Sequence, residues 1–370
     1  MCENIFYVAR KDEKERNGAT FKAPADIEEI CRTRGYKVLW LPSLQRTGNV
    51  LYKNIWKFWN YFSLPHKWKE YTQRLPENAV VFFQYPMNSK HVFINSIAKM
   101  QAKKHAKLVC LIHDLRELRG KPGKKLRDRD VEIERKIFSQ CDCLICHNEK
   151  MKEYKEYMVK SGLDSQKIVC LEIFDYLEDG HEERIRTKSK YPSLAIAGNI
   201  GPGRSEYIYK MFEYFATKDS KLTGNLYGSG FDTSRKTANM HCWGSFPPEE
   251  IPKRLEGDFG LVWYGSSIKT CTDNTGEYLR YNCPHKVSLF LTAGMPIIIW
   301  SEAAMADFIV KNGAGLTVNS LTEVEEAIQS IDEKSYTRMC ENARGIGARL
   351  REGYYFKKAM DEALARIAQA

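Results

Sequence analysis

Short apolar runs alternate with longer amphipathic stretches along the whole chain. Residues 3–9, 37–41, 78–84, 107–113, 142–147 and 167–171 read as strands. Helices are expected over 23–34, 89–105 and 130–140, with Pro24 near a first turn, Gly35 at a helix end, and a polar loop over 10–20. A second series starts at Ser193. Strands are expected over 193–197, 224–227, 258–263, 296–300 and 315–318, and helices to about Phe215, over 284–293, over 302–312 and onward to the C-terminus. Strands alternating with helices mean βαβ units and parallel sheets, an α/β chain. The charged stretch 175–190 separates the two series.

This doubling predicts two Rossmann-like domains facing across a cleft. Residues 1–178 form the first domain and 179–350 the second. Residues 351–370 form a final helix expected to pack back on the first domain. Ligands in such sheets bind at the carboxyl ends of the strands. The layout is common to GT-B glycosyltransferases, periplasmic binding proteins and some epimerases.

A length of 370 residues exceeds what one hydrophobic core usually serves, in keeping with two domains. The longest apolar runs, 108–112 and 296–300, fall far short of the roughly 20 residues of a membrane span. Met1-Cys2-Glu3-Asn4 opens without the basic start of a secretory signal. A cytoplasmic protein is therefore expected, and its 11 cysteines read as reduced apolar residues. Net charge is +10 and is unevenly placed. Residues 1–150 hold 29 Lys+Arg against 17 Asp+Glu, leaving 28 against 30 beyond, so the first part carries +12 and the rest −2. A basic face on the first domain follows, suited to an anionic acceptor, to peripheral contact with the inner face of the cell membrane, or to a subunit contact in a homo-oligomer.

The most informative chemistry lies at 276–289. Pro284 suits a helix start, and the amides after it are open to an anion. Lys286 adds a positive charge there, which the helix dipole disfavours unless an anion is bound, and Ser288 adds a hydroxyl. That conflict points to a diphosphate. The glycines of Gly198–Gly203 and Gly228–Gly230 would let backbone approach a ligand closely, with Asn199 and Tyr227 as nucleotide contacts at strand ends.

Asn282-Cys283-Pro284-His285-Lys286-Val287-Ser288 resembles a motif of one bacterial GT-B group, as do Gly294–Trp300, Phe259–Trp263 and Ala197-Gly198-Asn199. This group contains the glucosyltransferase that extends O-GlcNAc on serine-rich-repeat adhesins and the β-1,6-galactofuranosyltransferases of O-antigen synthesis. Phe21–Asp26, Gln84-Tyr85-Pro86, His113-Asp114 and His147-Asn148 extend the resemblance over nearly the whole chain. It implies a GT-B transferase that moves a hexose from a UDP-sugar to a glycan or lipid-linked acceptor, inverting, with no metal or other cofactor. Carried over, Pro284, His285, Lys286, Val287, Ser288 and Leu289 form the nucleotide-diphosphate loop. Cys283 stands where the family pattern has Asn. Thr20 and Lys22, near the loop after the first strand, would face donor phosphates and acceptor. His113 and Asp114 end an apolar strand, with Asp114 as general base, His113 against the sugar and His147 a weaker alternative.

A nucleotide-sugar epimerase and a non-catalytic sugar- or nucleic-acid-binding module share parts of this reading. Cys143-Leu144-Ile145-Cys146-His147 matches a haem-attachment motif, but the alternation of a buried strand sends successive side chains to opposite faces. Asp128-Arg129-Asp130 lies among charged residues and reads as a solvated face. Tyr52–Tyr71 interleaves aromatics with lysines and is read as packing, subunit contact or acceptor binding ahead of a membrane surface, with nucleic acid the least favoured partner and none expected.

Overall fold

The computed structural model describes residues 4–11, 19–42, 63–87, 90–115, 118, 128–154, 164–181 and 183–369. Two six-stranded sheets, parallel throughout, organise them. The first has the order β2-β1-β3-β4-β5-β6, from β1 (Ile5–Lys11), β2 (Lys37–Pro42), β3 (Val80–Tyr85), β4 (Lys107–Ile112), β5 (Cys143–Cys146) and β6 (Ile168–Cys170). The second has the order β12-β11-β10-β7-β8-β9. Its strands are β7 (Ser193–Asn199), β8 (Thr223–Ser229), β9 (Met240–Gly244), β10 (Phe259–Val262), β11 (Ile297–Trp300) and β12 (Gly315–Val318). Crossover helices cover both faces of a parallel sheet, so its central strands are apolar at successive positions. All four residues of β11 are buried, as is β4 from Leu108 onward.

The helices that place the cleft are α1 (Ala19–Thr33), α2 (Pro202–Ala216), α3 (Asp273–Tyr278), α4 (His285–Thr292), α5 (Glu333–Arg351) and α6 (Tyr354–Gln369). α1 starts ahead of residue 23, so Thr20 is helical rather than part of a loop, and Pro24 lies inside the helix. Asn17 and Gly18 are outside the described residues. β9 has no counterpart in the sequence pattern, because only Met240 of its five residues is buried and an edge strand carries little periodicity. Of the aromatic-basic segment, residues 52–62 lie outside the described residues, while Leu64, Trp68 and Tyr71 are core, with the Trp68 ring 5.4 Å from Phe93.

α4 packs on α5 within the second unit. Gly260 of β10 has no side chain because the Phe290 ring of α4 occupies that space, 2.2 Å from where a Cβ would stand. α6 then returns to the first unit and packs on β5 and β6, its Phe356 ring 5.1 Å from Phe82. Among the described residues no helix is long and apolar enough to cross a membrane.

The ends of β7 and β8, where Gly198 and Gly228 pair, also line the cleft. A Cβ on Gly228 would stand 1.6 Å from the Gly198 carbonyl oxygen, so the two paired strand ends lie this close only because Gly228 lacks a side chain. Gly228→Ala should therefore cost about 2 kcal/mol or more in chemical denaturation. Gly203→Ala, with nothing within 4 Å, should stay within about 0.5 kcal/mol. Equal effects at the two sites would contradict this.

Candidate active site

The carboxyl ends of the two sheets face each other across a cavity of about 840 Å³. Strand order reverses between β1 and β3 in one sheet and between β7 and β10 in the other, the two switch points where doubly wound sheets open a crevice. The cavity is lined by Val8, Gln84 and His113 from the first unit and by Asn199, Tyr264 and Lys286 from the second.

Pro284 is the N-cap of α4, at φ −71° and ψ 133°, one residue outside the helix rather than in its first turn. No side chain caps this end, and the Val287 N–H turns back to the Pro284 carbonyl at 2.9 Å. Orphan donors at a helix start are satisfied by caps, water or a ligand. Lys286 enters the cavity here with Nζ 4.1 Å from the centroid of the Tyr264 ring. Among the described residues it forms no ion pair, and burial pushes its amine down to about 8. A cation held on an aromatic face at an uncapped helix start has the chemistry to receive an anion.

Three histidines surround the cavity, and burial holds all three neutral. His113, lowered to about 3 by burial and then by His147 and His285, faces Gln84 with Nε2 2.6 Å from Oε1. Gln84 gives its amide to the Pro24 carbonyl, so the His113 Nε2 carries the hydrogen and donates. His285, lowered to about 4, stacks on the Tyr176 ring at 5.0 Å. His147, also lowered to about 4, is not a base. Its Nε2 donates to the Ile112 carbonyl at 3.0 Å and its Nδ1 accepts from the Cys283 amide at 2.9 Å. Both nitrogens are committed to backbone.

A proton accepted by His113 would create a buried cation, whereas one accepted by a carboxylate removes a charge. Asp114, half-buried on the cavity wall one residue further on, is therefore the better proton acceptor.

Several expected contacts are placed otherwise. Ser288 is fully buried, and its hydroxyl donates to the Phe174 carbonyl at 2.6 Å, so its side chain joins the two units instead of meeting a ligand. Val287 is also fully buried and does not line the cavity, whereas Leu289 does. The Tyr227 hydroxyl donates to the Arg254 carbonyl and accepts from the Glu256 amide, which leaves only its ring for the cavity. Lys22 reaches the cavity, but its ammonium pairs with Asp26 at 2.7 Å and donates to the Leu177 carbonyl. Thr20 is described in its backbone only. The Asn199 side chain accepts from the Gly201 amide at 3.1 Å and lines the cavity as expected.

Two charged residues on the cavity wall escaped the sequence reading. Arg204, exposed and without an ion pair among the described residues, stands in the first turn of α2, after a Gly201 N-cap and Pro202. The pattern repeats that of Pro284 and Lys286 and was present in the sequence. Glu28 of α1 is the second wall carboxylate with Asp114, and one acid among several on a helix carries no such signal.

Residues 5–173 match the family described as glucosyltransferase 3-like, N-terminal domain, and residues 194–363 match the corresponding C-terminal domain. The chain is similar to the β-1,6-galactofuranosyltransferase WbbI of Escherichia coli (strain K12), 30% identical over 94% of this chain and 95% of that one. It is also similar to glucosyltransferase 3 of Streptococcus gordonii, 23% identical over 78% of this chain and 80% of that one. A solved glycosyltransferase from Rickettsia africae ESF-5 shares the fold, with a TM-score of 0.62 at 11% identity over 99% of each chain.

If Ser288 is a joint, Ser288→Ala should lower unfolding stability by about 1–3 kcal/mol, because a buried carbonyl loses its donor. A ligand-binding serine would leave the melting curve unchanged.

Proposed function

The chain belongs to the glucosyltransferase 3-like family and is a glycosyltransferase of GT-B fold, and on that premise we propose that it transfers a hexose from a UDP-sugar with inversion. Lys286, without an acid partner at the uncapped start of α4, is the observation that carries this reading. The diphosphate sits against the first-turn amides of α4, with the Lys286 ammonium on one side and Arg204 as a second cation. The acceptor hydroxyl attacks the anomeric carbon, the bond from that carbon to the phosphate oxygen breaks, and UDP leaves with the electron pair. Asp114 takes the hydroxyl proton. Charge developing on the leaving phosphate is met by preorganised donors, so the step needs no metal.

The acceptor side of the cavity is apolar at Val8, Phe21, Ala25, Pro86 and Met87. With +12 over residues 1–150, this favours a lipid-linked glycan presented at an anionic membrane surface.

Lys286→Ala should weaken UDP binding roughly 10- to 100-fold by calorimetry, the loss of one charge-assisted contact. The amine is charged below about 8 and neutral above it, so UDP affinity should fall as pH rises through that value. Lys286→Arg should remove that dependence. Asp114→Asn should slow transfer roughly 10²- to 10⁴-fold while leaving UDP affinity within about threefold. Full turnover by that variant would eliminate Asp114 as base and leave Glu28 as the wall carboxylate to test.

A further inference from the structure

His147 joins two loops that come from different units and bear the two halves of the reaction. Its acceptor partner, Ile112, ends β4 and immediately precedes His113 and Asp114. Its donor partner, Cys283, immediately precedes the Pro284 cap of α4. A backbone amide only donates and a carbonyl only accepts, so the geometry admits one form of the ring: neutral, with hydrogen on Nε2. Burial holds the imidazole in the neutral state at ordinary pH, and the ring is only 1% exposed. Phe174 lies edge-on to it at 5.0 Å and 83°, which fixes the ring plane. On the far side of Asp114, the Leu115 amide donates to the Tyr278 hydroxyl of α3 at 3.0 Å. The segment carrying the proton acceptor is thus tied to the donor-side unit just before it and just after it.

We propose that His147 is a positioning residue that sets the distance between the acceptor-activating segment 113–114 and the diphosphate end of α4 by bridging the Ile112 carbonyl and the Cys283 amide. Reaction within a bound pair requires the two reacting atoms about 3–3.5 Å apart, and small displacements cost large factors in rate. The bridge acts on transfer between two substrates more than on binding of either one. It rests on the transferase reading and on Asp114 as the acceptor-side base.

The test uses the full chain and compares acceptor-dependent transfer with hydrolysis of the same UDP-sugar by water, alongside UDP affinity and melting temperature. His147→Phe keeps the ring and loses both bonds. It should lower the ratio of transfer to hydrolysis at least tenfold, with the UDP dissociation constant within about threefold of wild type. His147→Gln, whose amide offers one acceptor and one donor, should recover most of the ratio. His147→Asn is too short to reach both partners and should fall between, which keeps the test open if the Phe variant does not fold. An unchanged ratio in folded His147→Phe, or a Gln variant no better than Asn, would overturn the bridge. Absence of UDP binding by the wild-type chain would instead overturn the donor reading, so the two failures are distinct.

Discussion

Four residues between the sheets, Phe174–Leu177, hold the two halves of this enzyme in one arrangement. The Phe174 carbonyl accepts from Ser288 of α4. The Asp175 carboxylate accepts the first amides of α6, from Tyr355 and Phe356, at 3.1 and 2.7 Å. The Tyr176 ring lies against His285 while its hydroxyl reaches the Pro248 carbonyl. The Leu177 amide and carbonyl are taken by Asp26 and Lys22 of α1. One short segment thereby ties down α4, α6 and α1. Burying such backbone is tolerable only because its polar groups are paired. This explains why Lys22 and Ser288, which look like ligand contacts, are held by the protein itself.

The cleft keeps its charge sparse. Three histidines stay neutral, and Lys22 is matched by Asp26, which leaves Lys286 and Arg204 as the wall cations without an ion pair among the described residues. A low-dielectric cleft with few fixed charges strengthens the field of those that remain. The excess of basic residues in the first part of the chain stands apart from this, since Lys286 and Arg204 both belong to the nearly neutral part. Nucleotide capture and whatever the basic face meets are separate electrostatic problems.

Much of the fold was legible in the sequence, because buried parallel strands such as Ile297–Trp300 write their burial as unbroken apolar runs. The edge strand Met240–Gly244 was not, since a solvent-facing edge has no such pattern. The entrance to α4 was legible as well: proline at a helix start followed by a lysine the dipole disfavours is a conflict visible without coordinates. Which polar side chains face the cleft was not. Ser288, Lys22 and Tyr227 are spent on carbonyls remote in sequence, which no local pattern encodes, and only the Lys22–Asp26 pair is local. His147 shows the same limit, since its two backbone partners lie 35 and 136 residues away.

The central claim is that the uncapped start of α4, with Lys286, receives the diphosphate of the donor. A crystal structure of the chain with UDP tests it directly. The account predicts phosphate oxygens within about 3 Å of the Lys286 Nζ and of the first amides of α4. A diphosphate bound elsewhere in the cleft, with Lys286 still lying on the Tyr264 ring and touching no phosphate, would contradict it.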